Sequence, residues 1–181
     1  MTGFSLLVTA WYLQIPVIIG GVLHMLAVSR NLWPGLSIPL HSGLFGANKT
    51  LRGLLLMPLF SVVGALCLWP LDTLLEAASP LAGHPLWLVG LVAGLGYILA
   101  ELPNSFLKRR LGIAPGATAD RHKLLFILLD QLDSGLGVAI AYLLYPGISF
   151  VQAAVFVLSF PLTALVVKRL LFWTGLKRSA V

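Results

Sequence analysis

Charged side chains are scarce in this chain of 181 residues: they make up 10% of it, with six acidic residues against twelve lysines and arginines. A soluble domain usually carries about 25% charged residues, so the composition excludes an ordinary soluble protein. The single cysteine, Cys67, excludes an intrachain disulfide and a cysteine-based metal site. The first residues lack a basic segment before their apolar run, and we therefore expect no cleaved signal peptide.

Apolar residues take the place of the missing charge. They make up 59% of the chain, and the mean hydropathy is +0.97. About 20 consecutive apolar residues cross the hydrocarbon core of a bilayer. We therefore predict an all-α integral membrane protein, in which residues 1–181 form a single polytopic domain with about five transmembrane helices. The predicted spans are roughly 4–28, 53–70, 86–103, 124–145 and 148–167, and Pro58 and Pro70 make the second the least regular.

The lysines and arginines all fall on one side of these predicted spans. They occupy the first loop, the third loop and the C-terminal end, whereas the loops at about 71–85 and 146–147 contain none. By the positive-inside rule the N-terminus is outside and the C-terminus is cytoplasmic. For the four C-terminal cations we favour a topology signal over a functional role. The twelve are Arg30, Lys49, Arg52, Lys108, Arg109, Arg110, Arg121, Lys123, Lys168, Arg169, Lys177 and Arg178.

Two aspartates lie inside the fourth predicted span. Asp130 and Asp133 are three residues apart, which puts them about 60° apart around a helix and about 4.5 Å apart along it. A carboxylate costs roughly 2.5–3.5 kcal/mol at the centre of a membrane helix. Two carboxylates this close repel each other unless a cation or a shared proton lies between them. We therefore predict that both aspartates face away from lipid and hold a divalent metal.

The first basic loop combines glycines with hydrogen-bonding and cationic side chains. Glycines permit close approach of the backbone to a ligand, and the neighbouring side chains offer hydrogen-bond donors to an anion. The loop is not a Walker A loop, which needs Gly-x-x-x-x-Gly-Lys-Ser/Thr after a strand. From spacing alone, the cations of this loop have two interpretations: they bind phosphate, or they only set the orientation of the protein in the membrane. The glycines are Gly43, Gly46 and Gly53, and the side chains are Asn48, Lys49, Thr50 and Arg52.

Polar residues recur with helical spacing where the third predicted span ends. If the helix continues past Pro103, an acid, two neutral hydrogen-bonding groups and a cation share one face at i, i+3, i+4 and i+7. Asp130 lies about six residues, or roughly 9 Å of helix, inside the same membrane boundary. The acid of this face is therefore either a third metal ligand or an ion-pair partner for Lys108 or Arg109. The four residues of the face are Glu101, Asn104, Ser105 and Lys108.

Three blocks of the sequence together resemble a known family. They are Asn-Lys-Thr-Leu-Arg-Gly at 48–53, Glu-Leu-Pro-Asn-Ser-Phe-Leu-Lys-Arg-Arg-Leu-Gly at 101–112 and Leu-Asp-Gln-Leu-Asp at 129–133. In order, spacing and predicted topology they resemble the signature blocks of the CDP-archaeol synthase family, which is related to the phosphatidate cytidylyltransferases (CDP-diacylglycerol synthases). The chain departs from the family at Ala100-Glu101, where Gly-Asp is usual, and at Pro103-Asn104, where glycine is common.

The resemblance implies a CTP-dependent cytidylyltransferase of the cell membrane, with an active site that faces the cytoplasm. A lipid phosphate, expected to be an unsaturated archaetidic acid with isoprenoid ether chains, attacks the α-phosphorus of CTP, and pyrophosphate leaves. The implied partners are CTP, this lipid phosphate and membrane lipids, with no nucleic acid. The implied cofactor is Mg²⁺ at Asp130, Asp133 and Glu101, and the implied catalytic residues are Asp130, Asp133, Lys108 and Lys49. The implied substrate-binding residues are Asn48, Lys49, Thr50, Arg52, Asn104, Ser105, Lys108, Arg109 and Arg110.

Three other functions compete with this one. Phosphatidate with acyl chains is the nearest, because the signature blocks address phosphates and not tails. A CDP-alcohol phosphotransferase would also use membrane aspartates, but its Asp-Gly-x-x-Ala-Arg signature is absent. A transport path for ions or solutes could be lined by the same acids and cations. The clustering of charge on one membrane face, without a broken-helix pair at mid-membrane, argues against transport.

Overall fold

The computed structural model describes residues 3–115 and 123–175, and within these ranges it is helical and contains no strand. The predicted all-α class is confirmed for this part of the chain. Seven α-helices follow one another along it, together with short 3₁₀ turns at Pro34–Leu36 and Glu76–Ala78. Their bounds are α1 Gly3–Ser29, α2 Ser42–Phe45, α3 Leu51–Leu66, α4 Trp69–Leu75, α5 Leu86–Arg110, α6 Lys123–Leu144 and α7 Phe150–Trp173.

Side-chain caps fix where two of the long helices begin. The Thr50 hydroxyl accepts a hydrogen bond from the Gly53 backbone N–H at 3.4 Å, and α3 starts there. At α7, Ser149 Oγ accepts from the Gln152 N–H at 3.2 Å, and Gln152 Oε1 accepts from the Ser149 N–H at 2.8 Å. Such reciprocal capping satisfies amide groups that the first turn leaves without helical partners.

Among the described residues, three helices are long and apolar enough to cross a membrane: α1 over Ser5–Ser29, α5 and α7. A fourth span exists if α3 and α4 are counted together, because this pair passes the same test but is bent by 45° between Leu66 and Trp69. The predicted span at 53–70 is therefore broken near its end, where Pro70 enters the first turn of α4. These apolar helices identify a membrane protein. The count of five spans and the orientation stay predictions.

The five long helices pack in a closed ring. In order around it, α1 contacts α3, α3 contacts α5, α5 contacts α6, α6 contacts α7, and α7 returns to α1. Large side chains such as Leu13, Val89, Tyr142 and Phe156 fill the interior. The two helices predicted to carry the acidic and polar residues, α5 and α6, are therefore neighbours.

Glycines bring these two neighbours unusually close. A Cβ added to Gly96 of α5 would lie 2.6 Å from the Gly137 carbonyl oxygen, and one added to Gly137 would lie 2.2 Å from the Gly96 oxygen. On the other side of α5, a Cβ at Gly94 would lie 2.4 Å from the Pro58 Cα of α3. Small residues allow membrane helices to approach in this way, so the backbone contact holds the polar ends of α5 and α6 face to face.

Two helices extend beyond the predicted spans. The helix α5 continues through Pro103 to Arg110, and α7 reaches Trp173 instead of ending near residue 167. A proline removes one helical hydrogen bond, which neighbouring helices can compensate in a membrane protein. At the end of α7, long cationic side chains let the helix leave the apolar core without stopping. Arg121, Lys177 and Arg178, which contribute to the orientation argument, lie outside the described residues.

Candidate active site

The polar face predicted on α5 meets both aspartates of α6. The Asn104 side-chain nitrogen donates hydrogen bonds to Asp130 Oδ1 at 2.7 Å and to Asp133 Oδ2 at 2.6 Å. Lys108 Nζ donates to Asp130 Oδ2 at 2.6 Å and lies 2.5 Å from Asp130 Oδ1. Because α5 stays helical past Pro103, Asn104 and Lys108 are one turn apart on the same side. Two of the four residues of this face, Asn104 and Lys108, therefore contact the aspartates directly.

The first basic loop supplies a second cation to the same place. Lys49 Nζ forms an ion pair with Glu101 Oε2, and the two side chains are 17% and 22% exposed. The cation that pairs with Glu101 thus comes from another element, and not from Lys108 or Arg109 of its own helix. Backbone bonds close the loop around Lys49: the Leu40 N–H donates to the Lys49 oxygen at 2.8 Å, and the Leu51 N–H donates to the Ile38 oxygen at 2.9 Å.

Ser134 belongs to this cluster, although the sequence analysis did not select it. Its hydroxyl donates to Asp133 Oδ1 at 3.0 Å and to Glu101 Oε1 at 3.4 Å, and its backbone N–H donates to Asp133 Oδ1 at 2.5 Å. The residue is 1% exposed. A signal was present, because Ser134 follows Asp133 directly and lies one helical turn after Asp130. It links the acid of α5 to the acids of α6.

The cluster brings three carboxylates against two ammonium groups at the end of the bundle. Lys108 and Asp130 are 11% and 28% exposed, so both are mostly shielded from water. Charges in such a setting need close partners, because desolvation otherwise costs several kcal/mol per ion. Each carboxylate accordingly has a hydrogen-bond donor. We call these residues the acid–lysine cluster: Glu101, Asp130, Asp133, Lys49, Lys108, Asn104 and Ser134.

Arg109 offers an anion site beside the acid–lysine cluster. Its Nε and NH1 nitrogens are buried and have no hydrogen-bond acceptor among the described residues. They face the first loop at Gly46, where an added Cβ would lie 3.2 Å from Arg109 NH1 and 3.0 Å from Asn48 Oδ1. Gly46 has φ +90°, a conformation that favours glycine. Unpaired buried guanidinium donors are costly, and an anionic acceptor such as a phosphate oxygen would satisfy them.

Four predicted substrate-binding residues have other contacts. Arg52 NH1 donates to the Leu32 carbonyl oxygen at 3.0 Å, which ties the start of α3 to the end of α1. The hydroxyl of Thr50 caps α3. The Arg110 guanidinium lies 4.9 Å from the centre of the Phe106 ring, on the face of α5 away from Lys108. Ser105 is 9% exposed and makes no hydrogen bond to the described residues of the acid–lysine cluster.

The chemistry of the donor set fits a hard cation at the aspartates. Carboxylate and amide oxygens are the ligands that Mg²⁺ prefers, and Asp130, Asp133 and Asn104 carry them. The position between the two aspartates already attracts positively polarised groups, the Asn104 amide and the Lys108 ammonium. Within residues 3–115 and 123–175, however, no three acidic, histidine or cysteine side chains are grouped closely enough to enclose a metal. Glu101 is turned towards Lys49.

Fold and site together define a helical membrane protein with acids and cations gathered at one end of its bundle. The chain is 31% identical over 130 residues to a CDP-archaeol synthase of Hyperthermus butylicus, an alignment that covers 69% of this chain and 68% of that protein. It is 34% identical over 96 residues to a CDP-archaeol synthase of Sulfolobus acidocaldarius, covering 52% of this chain and 48% of that protein. The chain belongs to the CDP-archaeol synthase family. No protein-family model matches it, and no solved structure does.

Proposed function

We propose that this protein transfers a cytidylyl group from CTP to a membrane lipid phosphate and so forms a CDP-lipid and pyrophosphate. The acceptor is an unsaturated archaetidic acid, a glycerol phosphate with isoprenoid ether chains. Membership of the CDP-archaeol synthase family supports the reaction class. The observation that carries the proposal is Arg109 beside the acid–lysine cluster, because its Nε and NH1 nitrogens are buried and have no hydrogen-bond acceptor within residues 3–115 and 123–175.

The reaction joins two anionic substrates, so charge must be neutralised and the attack aligned. An oxygen of the lipid phosphate forms a bond to the α-phosphorus of CTP. The bond from that phosphorus to the oxygen bridging to the β-phosphate breaks, and pyrophosphate leaves with the electron pair. No protein nucleophile is required. Arg109 would donate a hydrogen bond to a phosphate oxygen, while Lys49 and Lys108 would contribute positive charge to the triphosphate or the lipid phosphate.

Asp130 and Asp133 would hold Mg²⁺, which Glu101 would join by turning away from Lys49, and the bound ion would supply charge neutralisation on the phosphate oxygens. The protein's own residues would prepare this position. Asn104 sets the distance between the two aspartates by bonding to both, and Ser134 orients Asp133 through two bonds to one oxygen. Residues that position metal ligands in this way typically change metal affinity or activity 10–100-fold when they are removed.

The location follows from the same proposal. The cluster lies in the second half of α5 and in the first half and middle of α6, towards the side of the bundle that the basic loops assign to the cytoplasm. CTP is a cytosolic nucleotide and the acceptor is a lipid, so the reacting phosphates would meet at the cytoplasmic surface of the cell membrane. Transport is the competing function of another class. It is disfavoured because the acid–lysine cluster lies at one end of the bundle instead of along a path through it.

The test is an assay of purified protein with labelled CTP, Mg²⁺ and a panel of lipid phosphates. The panel contains an unsaturated isoprenoid ether glycerol phosphate, the saturated ether lipid and a diacyl phosphatidate. We expect labelled CDP-lipid with the unsaturated ether acceptor, and less with the other two. Equal or better use of the diacyl lipid would show that the acceptor is phosphatidate with acyl chains. Absence of labelled lipid with every acceptor, in protein shown to be folded, would contradict the proposed reaction.

A further inference from the structure

An apolar groove runs along the outside of the bundle between α1 and α7. Its volume is about 500 Å³, and one edge is formed by α4. Almost all of its lining is hydrocarbon or aromatic. The lining includes Trp11, Ile15 and Ile18 of α1, Leu71 of α4, and Leu162 and Val166 of α7.

The groove continues towards a cation at the end of α7. A second hollow of about 270 Å³ is lined by Val166, Arg169 and Trp173 among others, and Val166 lines both. Leu162, Val166, Arg169 and Trp173 recur at i, i+4, i+7 and i+11, which is one face of the helix. From Leu162 to Trp173 this face extends about 16 Å, roughly half of the 30 Å hydrocarbon thickness of a bilayer.

The surroundings of Arg169 are suited to binding the anionic headgroup of a lipid. Its guanidinium lies 6.0 Å from the centre of the Trp173 ring, and no described carboxylate forms an ion pair with it. An arginine beside an exposed tryptophan is typical of the interfacial zone of a membrane, where the aromatic ring lies level with lipid headgroups. A groove with apolar walls and a cation at its end is complementary to a molecule with an apolar tail and an anionic head.

We propose that this groove binds one anionic phospholipid of the surrounding membrane, with its tail along α1 and α7 and its phosphate at Arg169. The lipid is a resident one and not the acceptor substrate, because the groove is bordered by α1, α4 and α7, whereas the acid–lysine cluster is carried by α5, α6 and the loop before α3. The bound tail stabilises the position of α4, which reaches the groove through Leu71. Tyr12 at the same place donates a 2.9 Å hydrogen bond to Asp72 of α4.

The experiment is native mass spectrometry of the protein released from nanodiscs that contain equal amounts of phosphatidylglycerol and phosphatidylcholine with identical tails. We expect one retained lipid, with a preference for phosphatidylglycerol. Arg169→Gln should reduce that preference about fivefold, the effect of one basic residue near an anionic surface. Val166→Trp, which fills the groove where its two parts join, should reduce retention of both lipids. The matched control is Arg30→Gln, an exposed cation at the end of α1, which should change neither.

Three results would overturn the proposal. The first is an unchanged headgroup preference in Arg169→Gln, or an equal loss in Arg30→Gln, which would mean a general surface-charge effect. The second is unchanged lipid retention in a folded Val166→Trp protein. The third is a protein dimer that forms through this face and excludes lipid. If Val166→Trp does not fold, Arg169→Gln decides alone. The measurement needs no turnover, so it is independent of the proposed reaction.

Discussion

Lys108 Nζ of α5 donates a 2.6 Å hydrogen bond to Asp130 Oδ2 of α6, and both side chains are mostly shielded from water. One helical turn earlier on α5, Asn104 bonds to the same aspartate and to Asp133. The two helices are thus joined by charge at these residues and, about one to two helical turns away, by the Gly96–Gly137 backbone contact. Removal of either partner of a shielded ion pair leaves an uncompensated charge. Substitutions here therefore report on charge balance as well as on chemistry.

Substitutions at Glu101 test whether this residue binds the metal or only pairs with Lys49. We expect Glu101→Asp to keep substantial activity, because aspartate offers the same oxygen chemistry on a shorter arm. Glu101→Gln should lose more than about tenfold of the activity and need a higher Mg²⁺ concentration, because it lacks the charge that holds a hard cation. Mg²⁺ titrations of both variants measure this. An unchanged Mg²⁺ requirement in Glu101→Gln would remove Glu101 from the metal site and leave its pair with Lys49 as its role.

Lys49 and Arg52 are close in sequence but should respond differently to substitution. Lys49→Ala should reduce CTP-dependent turnover by on the order of 100-fold, as does the loss of other groups that stabilise developing charge. The melting temperature should also fall, because Glu101 is left without its cation at a site where both side chains are mostly shielded from water. Steady-state kinetics and thermal unfolding in detergent measure the two quantities. A Lys49→Ala variant with normal turnover would make the first loop a topology signal only.

Arg52→Ala should act mainly on stability. Its guanidinium is buried and bonds to the Leu32 carbonyl oxygen, and loss of a hydrogen bond from a charged group costs roughly 1.5–3 kcal/mol. The melting temperature should fall, while turnover of the folded fraction stays within a fewfold of normal. Lys177→Ala is the control, because it also removes one cation from the side of the membrane predicted to be cytoplasmic. Full stability together with a large loss of turnover in Arg52→Ala would instead place Arg52 in contact with substrate.

The Gly96–Gly137 contact should be required for the site although neither residue touches it. In Gly137→Ala the new methyl group would lie 2.2 Å from a backbone oxygen, so α5 and α6 must separate. Overpacking of this kind costs about 1–3 kcal/mol, and the bonds from Asn104 and Lys108 to α6 would lengthen. We expect a lower melting temperature and lower activity. Gly21→Ala is the matched control, since a Cβ there meets nothing within 4 Å. Equal effects of the two substitutions would contradict the close-contact argument.

Helical periodicity was sufficient to predict much of this site. The spacing of Glu101, Asn104 and Lys108 indicated one face, and the aspartates at i and i+3 indicated a second face that needed positive partners. The same periodicity places Arg110 about 200° around the helix from Lys108, so its position over Phe106 could have been predicted too. Ser134 was also within reach, because it lies one turn after Asp130.

Other features depend on packing that the sequence does not specify. Residue type alone identifies Thr50 and Arg52 as donors in a basic loop, but it does not distinguish a helix cap or a bond to Leu32 from a contact with substrate. The pairing of Lys49 with Glu101 joins residues 52 positions apart, and it follows only from how the loop folds over α5. The bend between α3 and α4 had a local signal in Pro70, whereas its angle of 45° does not follow from residue type.

The most direct test of the central claim is CDP-lipid formation from labelled CTP by Asp130→Asn and Asp133→Asn. Neutralising a carboxylate makes membrane insertion easier, so both variants should insert, and thermal unfolding checks that Asp130→Asn, which leaves Lys108 without its carboxylate, is still folded. Glu76→Gln, which neutralises an exposed acid outside the acid–lysine cluster, is the control. The account predicts that Asp130→Asn and Asp133→Asn lose nearly all Mg²⁺-dependent product, that Glu76→Gln retains it, and that EDTA abolishes product formation by the unmodified protein. Normal turnover in both aspartate variants, or product formation that resists EDTA, would contradict it.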